Sequence, residues 1–142
     1  MGDIIQEFQV RTATRRRGVS LRLLFDSGSP RTFVKRRIAT KLGNLFRLPE
    51  QIRFGGLGNG RFAAGHVVHL QILFLDLWCP HPSYVVPDSV LEDEYDILVG
   101  HDLIQIYDVR LDPKHRQVLL RRSRLEMGLR VRHGRRVNSP PA

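Results

Sequence analysis

Apolar positions along this chain come in short runs that glycine and proline cut apart. Glu7 to Thr12 alternates apolar with polar residues and reads as a first strand, and Arg15-Arg16-Arg17-Gly18 reads as a polar turn. Val19 to Phe25 is apolar enough for a buried strand. The rhythm then changes. Within Phe33 to Leu42, the residues Val34, Ile38, Ala39 and Leu42 fall at three- and four-residue spacing with Gly43 just beyond, which predicts a short helix and its C-cap. Leu45 to Pro49 reads as a loop. An extended run at Ile52–Phe54, a tip of Gly55-Gly56-Leu57-Gly58-Asn59-Gly60 and a second run from Arg61 to Ala64 predict a hairpin. His66 to Leu77 predicts a long strand, and Cys79-Pro80-His81-Pro82 predicts a turn, because proline has no N–H to give a ladder. After a short strand at Tyr84–Val86 and an acidic loop at Asp88–Asp93, Tyr95 to Gly100 reads as a buried strand ending at a glycine. Asp102 to Tyr107 predicts a brief helix capped by Asp102 or His101. Asp108–Asp112 and Gln117–Leu120 predict a closing hairpin. Many short strands with two short helices predict an all-β barrel or sandwich. From 121 to 142 the chain turns basic and loses its periodicity, so the domain is expected over 1–120, followed by a basic C-terminal tail, flexible or a loosely attached element.

Composition narrows the class. A chain of 142 residues with 42% hydrophobic content suits one globular domain. No stretch approaches the ~20 apolar residues of a membrane span, and the first residues lack the basic-then-apolar order of a signal peptide. Cys79 is the single cysteine, so no internal disulfide forms, which suits a reducing compartment and predicts a cytoplasmic location. The net charge of +9 raises nucleic acid as a partner. Its arginines are scattered, however, and the tail offers few aromatics for base stacking and no recognisable motif, which argues against nucleic acid as the main partner.

Candidate chemistry concentrates at Phe25-Asp26-Ser27-Gly28-Ser29. A strand that runs up to Asp26 and then breaks into Ser-Gly-Ser holds a carboxylate at the mouth of a turn. Glycine permits the tight path, and neighbouring hydroxyls and amides can orient the carboxylate. Other groups carry less. The glycine run at 55–60 is followed by neither a helix nor a Gly-Lys-Ser/Thr ending, so it is not a phosphate loop. His66 and His69, three apart on a strand, face opposite sides; no metal site and no cofactor are expected. Cys79 reads as a small buried thiol.

Three features stand in order: Leu24-Phe25-Asp26-Ser27-Gly28-Ser29, the glycine-tipped hairpin, and Tyr95-Asp96-Ile97-Leu98-Val99-Gly100-His101-Asp102-Leu103-Ile104. That order, over about Gln9 to Leu120, resembles the retropepsin-like aspartic proteases, the single-domain retroviral and retroelement type. The resemblance implies a closed β-barrel with a glycine-rich flap and one or two short helices, working as a homodimer on an extended peptide. It implies that Asp26 is catalytic, one from each of two chains, since the motif occurs once. Ser27 would bond across the two-fold axis, Gly28 would give backbone access to substrate, and Ser29 would donate to the outer carboxylate oxygen. Gly55, Gly56, Leu57 and Gly58 would form the flap. Ile97, Leu98 and Val99 would be pocket walls or pure core. Two positions depart from the family pattern. Retroviral members commonly place an Asp two residues after the catalytic glycine and an Arg directly after the second glycine, a pair that supports the active-site loop; here Pro30 and His101 stand there. Arg31 and Asp102, next to those places, are candidates for a charge-reversed substitute. Two other readings stand beside aspartic endopeptidase: a non-catalytic retropepsin-like module for dimerisation or peptide binding, and an Arg-rich barrel for nucleic acid.

Overall fold

The computed structural model describes residues 3–57 and 60–138. Its first two strands, β1 (Ile4–Arg11) and β2 (Val19–Phe25), form an antiparallel pair from Ile4↔Phe25 to Val10↔Val19. A short β3 (Phe33–Lys35) leads directly into α1 (Arg36–Leu42). β4 (Leu45–Leu57) and β5 (Gly60–Phe74) make the glycine-tipped hairpin, and β6 (Leu77–Val86) runs back along β5. β7 (Ile97–Val99) then inserts parallel to β2 and antiparallel to β3. The order β1-β2-β7-β3-β6-β5 closes on itself through Val10↔Ile72 and Arg11↔Gln71, giving a six-stranded barrel with β4 laid on outside. At that seam the Arg11 Nε donates to Gln71 Oε1 at 2.6 Å, and the guanidinium lies 4.0 Å from the centre of the Trp78 ring. Closure removes the free edges an open sheet would leave, and it buries Val10, Leu23, Val34, Leu70, Ile72, Phe74, Ile97 and Val99 in one core.

The helices cover the rest of that core. α2 (His101–Tyr107) buries Leu103, Ile104 and Tyr107 and ends at Asp108, whose φ of 50° makes the left-handed cap. A separate hairpin of β8 (Arg110–Asp112) and β9 (Gln117–Leu119) follows, then α3 (Arg122–Asn138). A second, smaller cluster gathers Leu24, Phe33, Ala64, Val86, Leu91, Tyr95 and Leu98 under the β4–β5 hairpin, joined by Phe54, Phe62 and Tyr84.

Several sequence expectations need correction. The residues 45–49 belong to β4 and not to a loop: Pro49 sits where the pairing jumps from Arg47↔His66 to Ile52↔Ala64 on the outermost strand, a place where a missing N–H breaks no ladder. Cys79-Pro80-His81-Pro82 lies inside β6, and the turn falls instead at Leu75-Asp76, where Leu75 takes a φ of 57°. Pro80 and Pro82 are two apart, so both nitrogens face the same side. Tyr107 donates its hydroxyl to Pro80 O at 2.6 Å, which shows that this side faces α2 and not β5. Neither Asp102 nor His101 caps α2; its N-cap is Gly100, with no side-chain cap bond. The first turn of the predicted helix at 33–42 is β3, because Phe33–Lys35 finds partners on both β6 and β7.

The segment after 121 also differs from an irregular tail. It is helical, and Leu125 is fully buried against the barrel core. Gly128 permits the approach: a Cβ there would lie 2.6 Å from both Ile106 O and the Tyr107 ring, so the two helices touch where one side chain is missing. Leu125→Ala should therefore destabilise the protein by about 2–5 kcal/mol, read as a lower urea midpoint at unchanged slope. A midpoint equal to that of the unsubstituted chain would show that α3 contributes nothing to the fold.

Candidate active site

Two barrel strands set the position of Asp26. β2 ends at Phe25 and β7 ends at Val99, paired in register, so the chain leaves both strands at one place. The Asp26 N–H donates to Val99 O at 2.9 Å, which anchors the start of the loop to the end of β7. Within the loop the Gly28 N–H donates to Asp26 Oδ1 at 2.9 Å and the Ser29 N–H to Asp26 O at 3.1 Å. This is the short Asx-type turn that Asp-Ser-Gly favours, and it orients the carboxylate. Asp26 is partly exposed, as a group that meets a substrate must be, while Ser27 and Gly28 are exposed.

Gly100 closes the arrangement. A Cβ at Gly100 would lie 2.1 Å from Arg31 O and 2.7 Å from Ser29 O, closer than any side chain can approach. The contact lets the His101 N–H donate to Ser29 O at 2.6 Å and the Gly100 N–H to Thr32 Oγ1 at 3.1 Å. Thr32, fully buried, turns to the next partner: its Oγ1 donates to Asp102 Oδ1 at 2.7 Å and its N–H to Asp102 Oδ2 at 3.2 Å. His81 Nε2 meets the same Oδ2 at 3.0 Å from β6. The return limb of the loop, residues 29–32, is thus hydrogen-bonded to the start of α2.

Asp26 lines two cavities. One, of about 170 Å³, is bounded by Gly28, Ser29, Pro30, Phe33, Phe54 and Gly55, so the loop and the glycine-bearing hairpin face each other across it. Phe33 stands at its base, with ring centroids 5.0 Å from Phe54 and 5.3 Å from Phe62 in edge-on contact. The other cavity, about 270 Å³, lies between the loop, Asp3 and Ile4 of the N-terminal strand region, and Leu111 and Pro113 of the β8–β9 hairpin.

The structure brings together Asp26, Gly28, Ser29 and Gly55, and places Ser27 at the mouth of the second cavity. Gly56 and Leu57 end β4, and Gly58 lies outside the described residues. Ile97, Leu98 and Val99 are buried to within 1% of full burial and bound neither cavity; they are core residues that support the loop from below. Ser29 does not donate to the Asp26 carboxylate. Its hydroxyl donates to Arg31 O at 2.8 Å, since the turn points it back along its own limb. Nor does Arg31 pair with Asp102, whose carboxylate is taken by Thr32 and His81. Sequence reasoning missed Phe33, Phe54, Thr32 and His81. The one signal available for Phe33 and Phe54 was their closeness to the Asp26 loop and the glycine tip.

Burial pushes the Cys79 thiol up to about 12, so it is no nucleophile at neutral pH. Among the described residues no three His, Cys, Asp or Glu side chains gather as a metal-holding set, and no helix is long and apolar enough to cross a membrane.

No protein-family model matches the sequence, and no curated protein sequence matches it. Solved structures do match the fold. The retroviral protease-like domain of Ddi1 from Leishmania major superposes with a TM-score of 0.56 at 17% identity, over 83% of this chain and 89% of that one. The EIAV protease, solved with an inhibitor, superposes with a TM-score of 0.58 at 14% identity, over 78% of this chain and 93% of that one.

Burial opposes ionisation of Asp102, yet the hydrogen bonds from His81 and Thr32 outweigh it and hold the carboxyl below its ordinary 3.8. A depressed carboxyl contributes stability that is complete above its unfolded value and is lost as pH falls through the folded one. Asp102→Asn should therefore flatten the loss of urea-measured stability below about pH 4. An acid limb as steep as that of the unsubstituted chain would rule Asp102 out as its source.

The closed six-stranded barrel, the Asp26 loop against Gly100 and the glycine-bearing hairpin above it make this a retropepsin-like fold.

Proposed function

We propose that the chain is one half of an aspartic endopeptidase, with Asp26 from each of two copies forming the catalytic pair. The observation that carries this reading is the position of Asp26. It is held by Val99 O and the Gly28 N–H at the mouth of a cavity whose opposite wall is the glycine-bearing hairpin. One carboxylate at such a site activates water poorly. Two that face each other cannot both ionise cheaply, so they share a proton. The ionised member takes a proton from water, which attacks the scissile carbonyl, while the protonated member hydrogen-bonds the carbonyl oxygen. The apparent pKa values belong to the pair. Ser27 and Gly28, exposed beside Asp26, are the groups that would meet the partner loop and the substrate backbone.

The substrate suited to this site is an extended peptide. Its backbone would pair with the end of β4 and the start of β5, and an apolar side chain would enter the cavity lined by Phe33, Phe54 and Pro30. Gly55, Gly56, Leu57 and Gly58 would act as the flap, with glycine supplying the backbone freedom that closure over a peptide needs.

Cleavage of a peptide library across acidic to neutral pH tests the proposal. Asp26→Asn should abolish cleavage while leaving the fold intact, and a statine-type transition-state mimic should inhibit the unsubstituted chain. Mixing equal amounts of the two chains tests the shared site. With random pairing about a quarter of the dimers keep both carboxylates, so activity should fall to about a quarter and not to half. Cleavage that survives Asp26→Asn, or a mixture retaining half the activity, would refute the two-chain dyad. A chain that dimerises and binds peptides without cutting them would leave the non-catalytic module as the correct reading.

A further inference from the structure

We infer that His81 is a positioning residue for the Asp26 loop, acting through Asp102 and Thr32; this rests on the reading of Asp26 as catalytic. His81 comes from β6, which also gives the loop the Tyr84 N–H on Thr32 O at 3.0 Å. Its ring is 3% exposed, far drier than an imidazole retained for surface polarity. Among the described residues the ring's polar contact is Nε2 to Asp102 Oδ2 at 3.0 Å, while Nδ1 is buried with no hydrogen-bond partner there. A carboxylate can only accept, so the proton on this ring must sit on Nε2. The neighbour fixes the tautomer, and a buried nitrogen is left unpaired to do so.

The consequence runs to the loop. Asp102 accepts from Thr32 N–H, Thr32 Oγ1, the Leu103 N–H and His81, which occupies both of its oxygens. Rotation of that carboxylate away from Thr32 would release Thr32 Oγ1, which also accepts from the Gly100 N–H. Only the His101 N–H to Ser29 O bond and the Gly100 N–H to Thr32 Oγ1 bond, without the carboxylate, would then hold the return limb against the start of α2 among the described hydrogen bonds. His81 opposes that rotation by holding Oδ2, while the Leu103 N–H of α2 holds Oδ1. It touches neither Asp26 nor the cavity over which Asp26 stands, so its effect on the reaction is geometric. Where a catalytic carboxylate must face its mate, a small displacement of its loop is expensive in rate.

A pair of variants tests this without removing polarity from the buried site. In His81→Gln the side-chain amide nitrogen reaches the place of Nε2 and keeps the bond to Asp102. In His81→Asn it stands at the place of Nδ1 and cannot. The Gln variant should cleave peptide with a kcat within about threefold of the unsubstituted chain, whereas the Asn variant should lose about tenfold or more in kcat with KM little changed. Amide hydrogen exchange gives a readout independent of turnover: Thr32 and Gly100 N–H should exchange faster by about tenfold in the Asn variant and keep their protection in the Gln variant. Equal kcat for the two variants, or a loss confined to KM, would overturn the proposal. So would unchanged Thr32 protection in the Asn variant. If the unsubstituted chain cuts no peptide but the exchange pattern holds, the protease reading fails and the tie from His81 to the loop stands.

Discussion

The approach of Gly100 to the loop that carries Asp26 is the constraint on which the site depends. Backbone stands on backbone there, with Arg31 O and Ser29 O occupying the space of any Cβ. Only this closeness allows the His101 N–H to reach Ser29 O and the Gly100 N–H to reach Thr32 Oγ1. The parallel pairing of β2 with β7 delivers the two segments to the same place. A parallel pair requires a long crossover, and here the whole β3–β6 portion of the barrel is that crossover. The Asp26 loop is thus the product of barrel closure and is not a local motif that would persist alone.

Buried polar groups extend the same principle to the rest of the molecule. Thr12 Oγ1 donates to Leu42 O at 2.7 Å and ties the β1–β2 turn to the end of α1. Lys35 Nζ donates to Glu92 O at 2.7 Å, and the Asp96 carboxylate takes the backbone and side chain of Arg22. Each of these bonds joins a segment to one distant in sequence. A satisfied buried polar contact specifies where such a segment lies, because leaving it unmade costs more than making it gains. Thr32, Asp102 and His81 are the instance of this rule that reaches the candidate site.

The parts of the fold legible in the sequence were those with a local physical cause. Val19–Phe25 was read with its true limits because its apolar residues Val19, Leu21, Leu23 and Phe25 recur at every second position, the period of a strand with one buried face. The C-cap at Gly43, with φ 78°, and the hairpin closing through Arg110–Asp112 and Gln117–Leu119 were readable for similar reasons. Where the reading failed, a distant partner had overridden a local preference. Pro80 and Pro82 look like a turn until α2 supplies Tyr107 for the carbonyl side they turn away from β5. The stretch after 121 lacks periodicity in the sequence, yet it is helical and sets Gly128 where Ile106 and Tyr107 would meet a side chain.

The candidate site divides in the same way. By itself the sequence determined that Asp26 would sit at a strand end in a tight Ser-Gly turn, since the Gly28 N–H to Oδ1 bond spans only two residues. It also determined that a glycine-rich hairpin would follow. Tertiary structure alone decided which groups surround that carboxylate: Phe33 and Phe54 across the cavity, and Thr32, Asp102 and His81 behind the loop. It also turned Ser29 away toward Arg31 O and sent Ile97 to Val99 into the core. The reason is one of range. A turn's own hydrogen bonds are written in adjacent residues, whereas the partners of the partly buried Asp102 carboxylate are chosen by whichever strands and helices the closed barrel brings within hydrogen-bond reach of it.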